Sequence, residues 1–253
     1  MKASSHLPGR WSLVYASNFA RTIKSDSAKV AHELYGADPL STEGTSGRSF
    51  GIPTLDKNLD PLSLDEVRQG AAKFLRFAEQ RPDLTFQVCR IENSSENMDT
   101  QSVAEIFEEC PKNVLLPRKW YLALDNADPE FRLILAGNPA PDHYQAMVEK
   151  LDTLLSKMKI PVRIVCASTG TMSQMAERYA TENDYFIAFF ELNHDLFKNA
   201  AQRISSESMV WYSDALFVLW DENDDDVQSL IDIAERENLP VREAVISDLS
   251  QKT

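Results

Sequence analysis

The chain has 253 residues, 43% apolar and 26% charged, which suits one large or two ordinary globular domains and argues against wholesale disorder. Its 26 basic and 39 acidic side chains give a net charge of −13, a surface that repels phosphate backbones and anionic lipid. Direct nucleic-acid binding and membrane association are therefore not expected. Only 8 glycines occur, about half the usual share of roughly 7%, and that shortage bears on every loop that would cradle a phosphate.

The first eight residues contain no apolar run and read as lacking a secretory signal. No stretch approaches the roughly 20 apolar residues that span a bilayer. Cys89, Cys110 and Cys166 are odd in number, far apart and set in apolar segments, so free thiols in a reducing compartment are expected. The four histidines, His6, His32, His143 and His194, have no His or Cys partner at ligand spacing. No metal and no cofactor are expected, and the chain reads as cytoplasmic, in the host if viral.

Residues 11–15 alternate and are β-rich, predicting a first strand. Residues 25–35 read as a helix ended by Gly36, and residues 49–53 as a short strand stopped by Pro53. Val67, Ala71, Phe74, Leu75 and Ala78 form one stripe of a helix over 65–80. A turn at Pro82 and Asp83 leads to a strand over 85–91 and a polar loop at 93–97. Val103, Ile106, Phe107 and Cys110 mark a helix, and 113–117 a short strand. The polar segment 125–129 breaks regular structure, and a domain boundary is placed there, dividing 1–124 from 130–253. A second series follows: strands at 132–136, 161–166, 185–190, 215–220 and 241–246, with helices at 144–158, 173–180, 197–210 and 227–238. Such alternation predicts right-handed crossovers and a largely parallel sheet. The expected fold class is α/β, two three-layer domains, the second Rossmann-like.

The second half resembles the DprA/LOG-like (SLOG) superfamily of Rossmannoid nucleotide-binding proteins. The residues that carry this are the 132–137 strand, Ala176 to Ala180, Met209 and Val210, Ser213 to Leu216, Leu219, Trp220 and Asp221, and the 231–240 helix and turn. The first half resembles a small macro-type α/β domain often encoded by phages and their hosts. There the carriers are Ser17 and Asn18, the 46–54 segment with Gly47, Gly51 and Pro53, Asp56, the 62–66 helix start, and residues 113–117. The fusion implies a phage or mobile-element protein.

Departures from both patterns are numerous. Ala167, Ser168 and Thr171 stand where the superfamily has three phosphate-binding glycines, and Gly170 is off register. Ser205 and Ser206 replace an Arg-Asn pair. Glu222, Asn223, Asp224, Asp225 and Asp226 replace a Gly/Ser/Thr loop, placing carboxylates, with Asp221, where phosphate would enter. In the first half, 19–26 and 92–97 stand where the family has glycine-rich loops, yet neither segment contains glycine.

Candidate ligand-binding residues are Ser17, Asn18 and Arg21 in the first domain, and Asn138, Thr169, Gly170 and Thr171 in the second; no catalytic residue is named. Each has a plainer reading. Ser17, Asn18, Arg21 and Lys24 suit a surface loop. The 138–143 segment suits a turn in which Asp142 caps a helix, and Thr169, Thr171 and Ser173 a capped helix start. Cys166 ends a strand near the sheet's ligand edge, but has no histidine near in sequence and suits a buried thiol. Residues 221–226 suit an acidic helix cap rather than a metal loop, and the aromatic 185–190 segment suits a core strand.

Three functions are consistent with these features. The first expectation is a non-catalytic interaction or assembly protein, phage-encoded and acting with a homo-oligomeric or protein partner, on degenerate nucleotide-binding scaffolds. The second is a module that captures a nucleotide-derived small molecule such as a defence signal. The third is a nucleotide-processing hydrolase, which needs an acid/base pair that the sequence does not display.

Overall fold

The computed structural model describes residues 4–7, 11–91, 99–124 and 130–248. The chain divides into two compact units, 10–128, and 1–9 with 129–253. Strand β1 (Ser4–Leu7), absent from the sequence expectation, pairs in parallel within the sheet of the second unit, although the chain then enters the first. Residues 93–97 and 125–129, expected as a polar loop and a boundary, lie outside the described residues.

The first unit carries β2 (Trp11–Asn18), α1 (Asp26–Tyr35), β3 (Gly44–Ser46), β4 (Ser49–Leu55), α2 (Leu64–Glu79), β5 (Thr85–Val88), α3 (Thr100–Ile106), β6 (Val114–Leu115) and α4 (Arg118–Ala123). Its sheet runs β3-β4-β2-β5-β6, parallel except for the β3–β4 hairpin. Strand β4 continues through Pro53, because β3 ends opposite Gly51 and leaves that edge without a partner that needs the missing N–H. Alternation sends Val14, Ala16, Phe50, Ile52, Phe86 and Val88 to one face, against α2, α3 and α4. Leu13 and Tyr15 take the opposite face, which α1 covers. This makes three layers. Helix α1 starts at Ser25, whose hydroxyl accepts from the Ala28 amide, and ends at a left-handed Gly36. Helix α2 is fixed by a capping box between Ser63 and Glu66.

The second unit adds β7 (Phe131–Gly137), α5 (Tyr144–Leu155), β8 (Val162–Ala167), α6 (Thr171–Glu182), β9 (Phe186–Phe190), α7 (His194–Phe197), α8 (Ala201–Tyr212), β10 (Ala215–Trp220), α9 (Asp225–Arg236) and β11 (Val241–Val245). Its six-stranded sheet, β1-β9-β8-β7-β10-β11, is parallel throughout. Leu133, Leu135, Ile164, Cys166, Phe189 and Phe217 pack against α5 and α6. Ile134, Val165, Leu216 and Val218 are buried on the opposite face, and α8 and α9 lie against each other and against strands of this sheet. The 197–210 helix of the sequence reading is interrupted: α7 and α8 are separated by a 3₁₀ turn, Lys198–Ala200, with Lys198 at φ 49°.

Two buried carboxylates sit in unlike surroundings. Glu130, at the start of β7, receives Arg132 Nε at 2.7 Å and Arg163 Nε at 3.0 Å. Burial raises its pKa, but the hydrogen bonds from Arg163 and Arg132 outweigh burial and hold it below the ordinary carboxylate value. Glu207, 1% exposed on α8, receives Arg236 Nη2 at 2.6 Å, whereas Arg203 Nε is 3.7 Å away, too far for a hydrogen bond. There burial prevails over both arginines and pushes the carboxyl up.

Candidate functional site

In the order β9-β8-β7-β10-β11, successive strands leave β7 first to one side and then to the other. The switch lies between β7 and β10, and its carboxyl edge is where open α/β sheets take ligands. Two features mark that edge here. Gly137, at φ 129°, runs so near β10 that a Cβ on it would lie 1.9 Å from the Leu219 carbonyl oxygen. Beyond it, Asn138 Nδ2 donates to Asp221 Oδ1 at 2.8 Å, and the Asp221 amide donates to Asn138 Oδ1 at 3.1 Å. Asn138 is thus spent on Asp221 rather than turned toward Thr169, Gly170 and Thr171. The Asn138 hydrogen bond, helped by the Asn223 amide, holds Asp221 below its usual pKa, so the carboxylate stays charged at the place a phosphate would enter.

The acidic run continues this barrier while serving the fold. Asp224 caps α9, accepting from the amides of Asp226 and Val227 at 3.0 Å each, as the helix-cap reading expected. The reading of Asp142 as a helix cap does not hold. Asp142 lies inside a 3₁₀ turn, Pro141–His143, and His143 Nδ1 takes the Ala140 amide at 3.1 Å. Once the turn has wound as 3₁₀, α5 starts directly from it with no side-chain cap.

The start of α6 also departs from expectation. Its N-cap is Gly170, at φ 97° with open space on its Cβ side, and no hydroxyl caps the helix. Thr169 is exposed, Thr171 is half-buried at the first helical position, and Ser173 is buried. Cys166, in the strand below, is 1% exposed. Burial pushes its thiol up to about 12, so almost no thiolate forms near neutral pH and it serves as core rather than nucleophile. No disulfide joins the three cysteines.

In the first unit the switch lies between β2 and β5, and Ser17 and Asn18 end β2. Both are buried and engaged. Ser17 Oγ donates to the Thr42 carbonyl. Asn18 Nδ2 donates to the Thr22 carbonyl at 2.7 Å while its Oδ1 accepts from the Thr22 amide at 3.2 Å, closing the loop on itself. Arg21 stands on that loop, exposed, at φ 58°. Ser17 and Asn18 share a shallow recess with Tyr15, His32, Asp38 and Ser41, of about 10 Å³, room for about one water at its floor. The Tyr15 hydroxyl is hydrogen-bonded to Ser41; burial, with Asp38 nearby, raises its pKa and keeps it a proton donor. His32 Nδ1 lies 2.9 Å from the Ala37 carbonyl, to which it donates.

The sequence reading missed Tyr15, His32, Asp38 and Ser41. The only signal was the Ala28–His32 spacing on α1, which places both on one helix face. Among the described residues no group of three or more His, Cys, Asp or Glu side chains is placed to hold a metal ion, and no helix is long and apolar enough to cross a membrane. Comparison with protein-family models, with curated proteins and with solved structures returned no match.

Proposed function

We propose that this protein is a non-catalytic interaction or assembly protein, built on two α/β scaffolds of nucleotide-binding type whose ligand edges have been given over to holding the fold. The resemblance of its halves to SLOG and phage-borne macro-type domains supports a phage origin and, with it, action in the host cytoplasm. The observation that carries the reading is the Asn138–Asp221 pair, which joins the ends of β7 and β10 at the switch point and sets a carboxylate there. The one-water recess beside Ser17 and Asn18 supports it from the other unit.

A second reading has one observation in its favour. Helix α6 begins at Gly170 with amides that no side chain caps, and such a terminus suits the phosphate of a small nucleotide-derived signal. Native mass spectrometry of the purified protein separates the two. The interaction reading expects masses of bare polypeptide only. A retained adduct of nucleotide mass, released on denaturation, would overturn it in favour of capture.

A further inference from the structure

The recess in the first unit is rimmed by exposed apolar side chains. Among the described residues, six large apolar side chains are strongly exposed, and Phe19, Ile23 and Leu40, at 43%, 41% and 59%, are three of them. All three come from the two loops that flank the recess: Ile23 and Pro39 line it, and Phe19 and Leu40 stand beside lining residues. Single exposed apolar residues are ordinary, but several around one recess mark a contact surface.

The two walls carry opposite charge. The 18–24 wall presents Arg21 and Lys24, both exposed. Arg21 holds a left-handed backbone, which glycine or asparagine would adopt at lower cost. The facing wall presents exposed Asp38, one of whose oxygens accepts from the Leu40 amide at 2.9 Å. A surface with a basic wall, an apolar middle and an acidic wall complements itself when turned through two-fold rotation.

We propose that this face is the interface of a homodimer, in which the Arg21/Lys24 wall of one copy meets Asp38 of the other across the Phe19, Ile23 and Leu40 pad. The inference rests on the reading of the chain as an interaction protein and names its partner as a second copy. The recess stays closed beneath the contact, and the apolar pad supplies the attraction. The charged walls fix the orientation, so that each copy contributes both halves of the pairing.

Charge reversal in trans tests this. Sedimentation velocity is run on wild type, Arg21→Glu, Asp38→Arg, Leu40→Asp, and an equimolar mixture of the two reversals. Wild type is expected to dimerise in the micromolar range. Each reversal alone sets like charges together at both ends of the interface and raises the dimer Kd by about tenfold or more. Mixing the two restores the wild-type Kd. At one end the glutamate introduced in one copy then faces the arginine introduced in the other, and at the opposite end the native Arg21 and Asp38 still meet. Leu40→Asp gives monomers with an unchanged melting temperature, its side chain being exposed. A wild type that stays monomeric at about 100 micromolar, roughly a hundredfold above a micromolar Kd, a dimer indifferent to Leu40→Asp, or reversals that mixing does not rescue would each overturn the proposal. Nucleotide binding by the wild type would instead overturn the interaction reading, so the two failures are told apart.

Discussion

Asn138 and Asp221 hold each other across the carboxyl edge of the second sheet by two hydrogen bonds, although 83 residues separate them in sequence. Their strands pair in register, with Gly137 opposite Leu219, so each residue emerges beside the other as its strand ends. Asn138→Ala removes both bonds. Because both bonds are exposed, the expected result is only a small fall in melting temperature. The Asp221 carboxyl, freed from its Asn138 donor, moves up toward its ordinary pKa. Carboxyl carbon shifts followed by NMR titration check this, and an unmoved Asp221 would show that Asn138 is not its principal donor.

The clasp depends on how closely β7 approaches β10. Gly137→Ala sets a methyl group 1.9 Å from a backbone oxygen that cannot swing away. The expected result is loss of soluble folded protein. Gly170→Ala has the same positive-φ cost but open space around it, so the protein folds with a loss of about 1–3 kcal/mol. Soluble yield compares the two variants directly, with a urea melt of Gly170→Ala to size its loss, and equal soluble yields would contradict the packing argument.

Glu130 and Glu207 predict opposite responses to pH. The folded pKa of Glu130 lies below its unfolded value, so its stabilising share is present above that value and is lost as pH falls through the folded one. Glu207 is raised by burial, so the folded chain binds its proton the more readily. Its contribution therefore declines as pH rises from the unfolded pKa through the folded one. At pH 7, Glu130→Gln leaves two arginines around a neutral amide and costs about 3 kcal/mol or more, a loss that shrinks below about pH 4. At pH 7 Glu207→Gln costs less than Glu130→Gln, because relief of the buried charge offsets the lost bond from Arg236. Urea unfolding at both pH values checks the pair; a Glu207→Gln loss at pH 7 as large as that of Glu130→Gln would refute the contrast.

The regular elements were legible where a local signal existed. Ser25 and Gly36 bracketed α1, and the stripe from Val67 to Ala78 marked α2. Strand β1 was invisible because four residues, Ser4–Leu7, show no alternation and their pairing partner, β9, lies in the distant half of the chain. Strand β3 is three residues long, and α4 follows Pro117 without a side-chain cap. At the candidate sites, sequence picked out the right strand ends, Ser17 with Asn18 and Asn138. It did not show that their side chains are spent on Thr42, Thr22 and Asp221, since two of those bonds join distant segments. The hydroxyls at 169–173 suggested a capped helix, yet Gly170 takes the cap position because the turn there requires a positive φ.

We propose that both sheet edges are closed to nucleotides, and a thermal melt with nucleotides tests this most directly. The wild-type chain is heated alone and with ATP, ADP, AMP, a cyclic dinucleotide and ADP-ribose, each at millimolar concentration. A ligand at a hundred times its Kd stabilises the folded state by about 2.7 kcal/mol, a shift of several degrees for units of this size. Closed edges predict superimposable melts for all five. A reproducible upward shift with any one of them would contradict the claim.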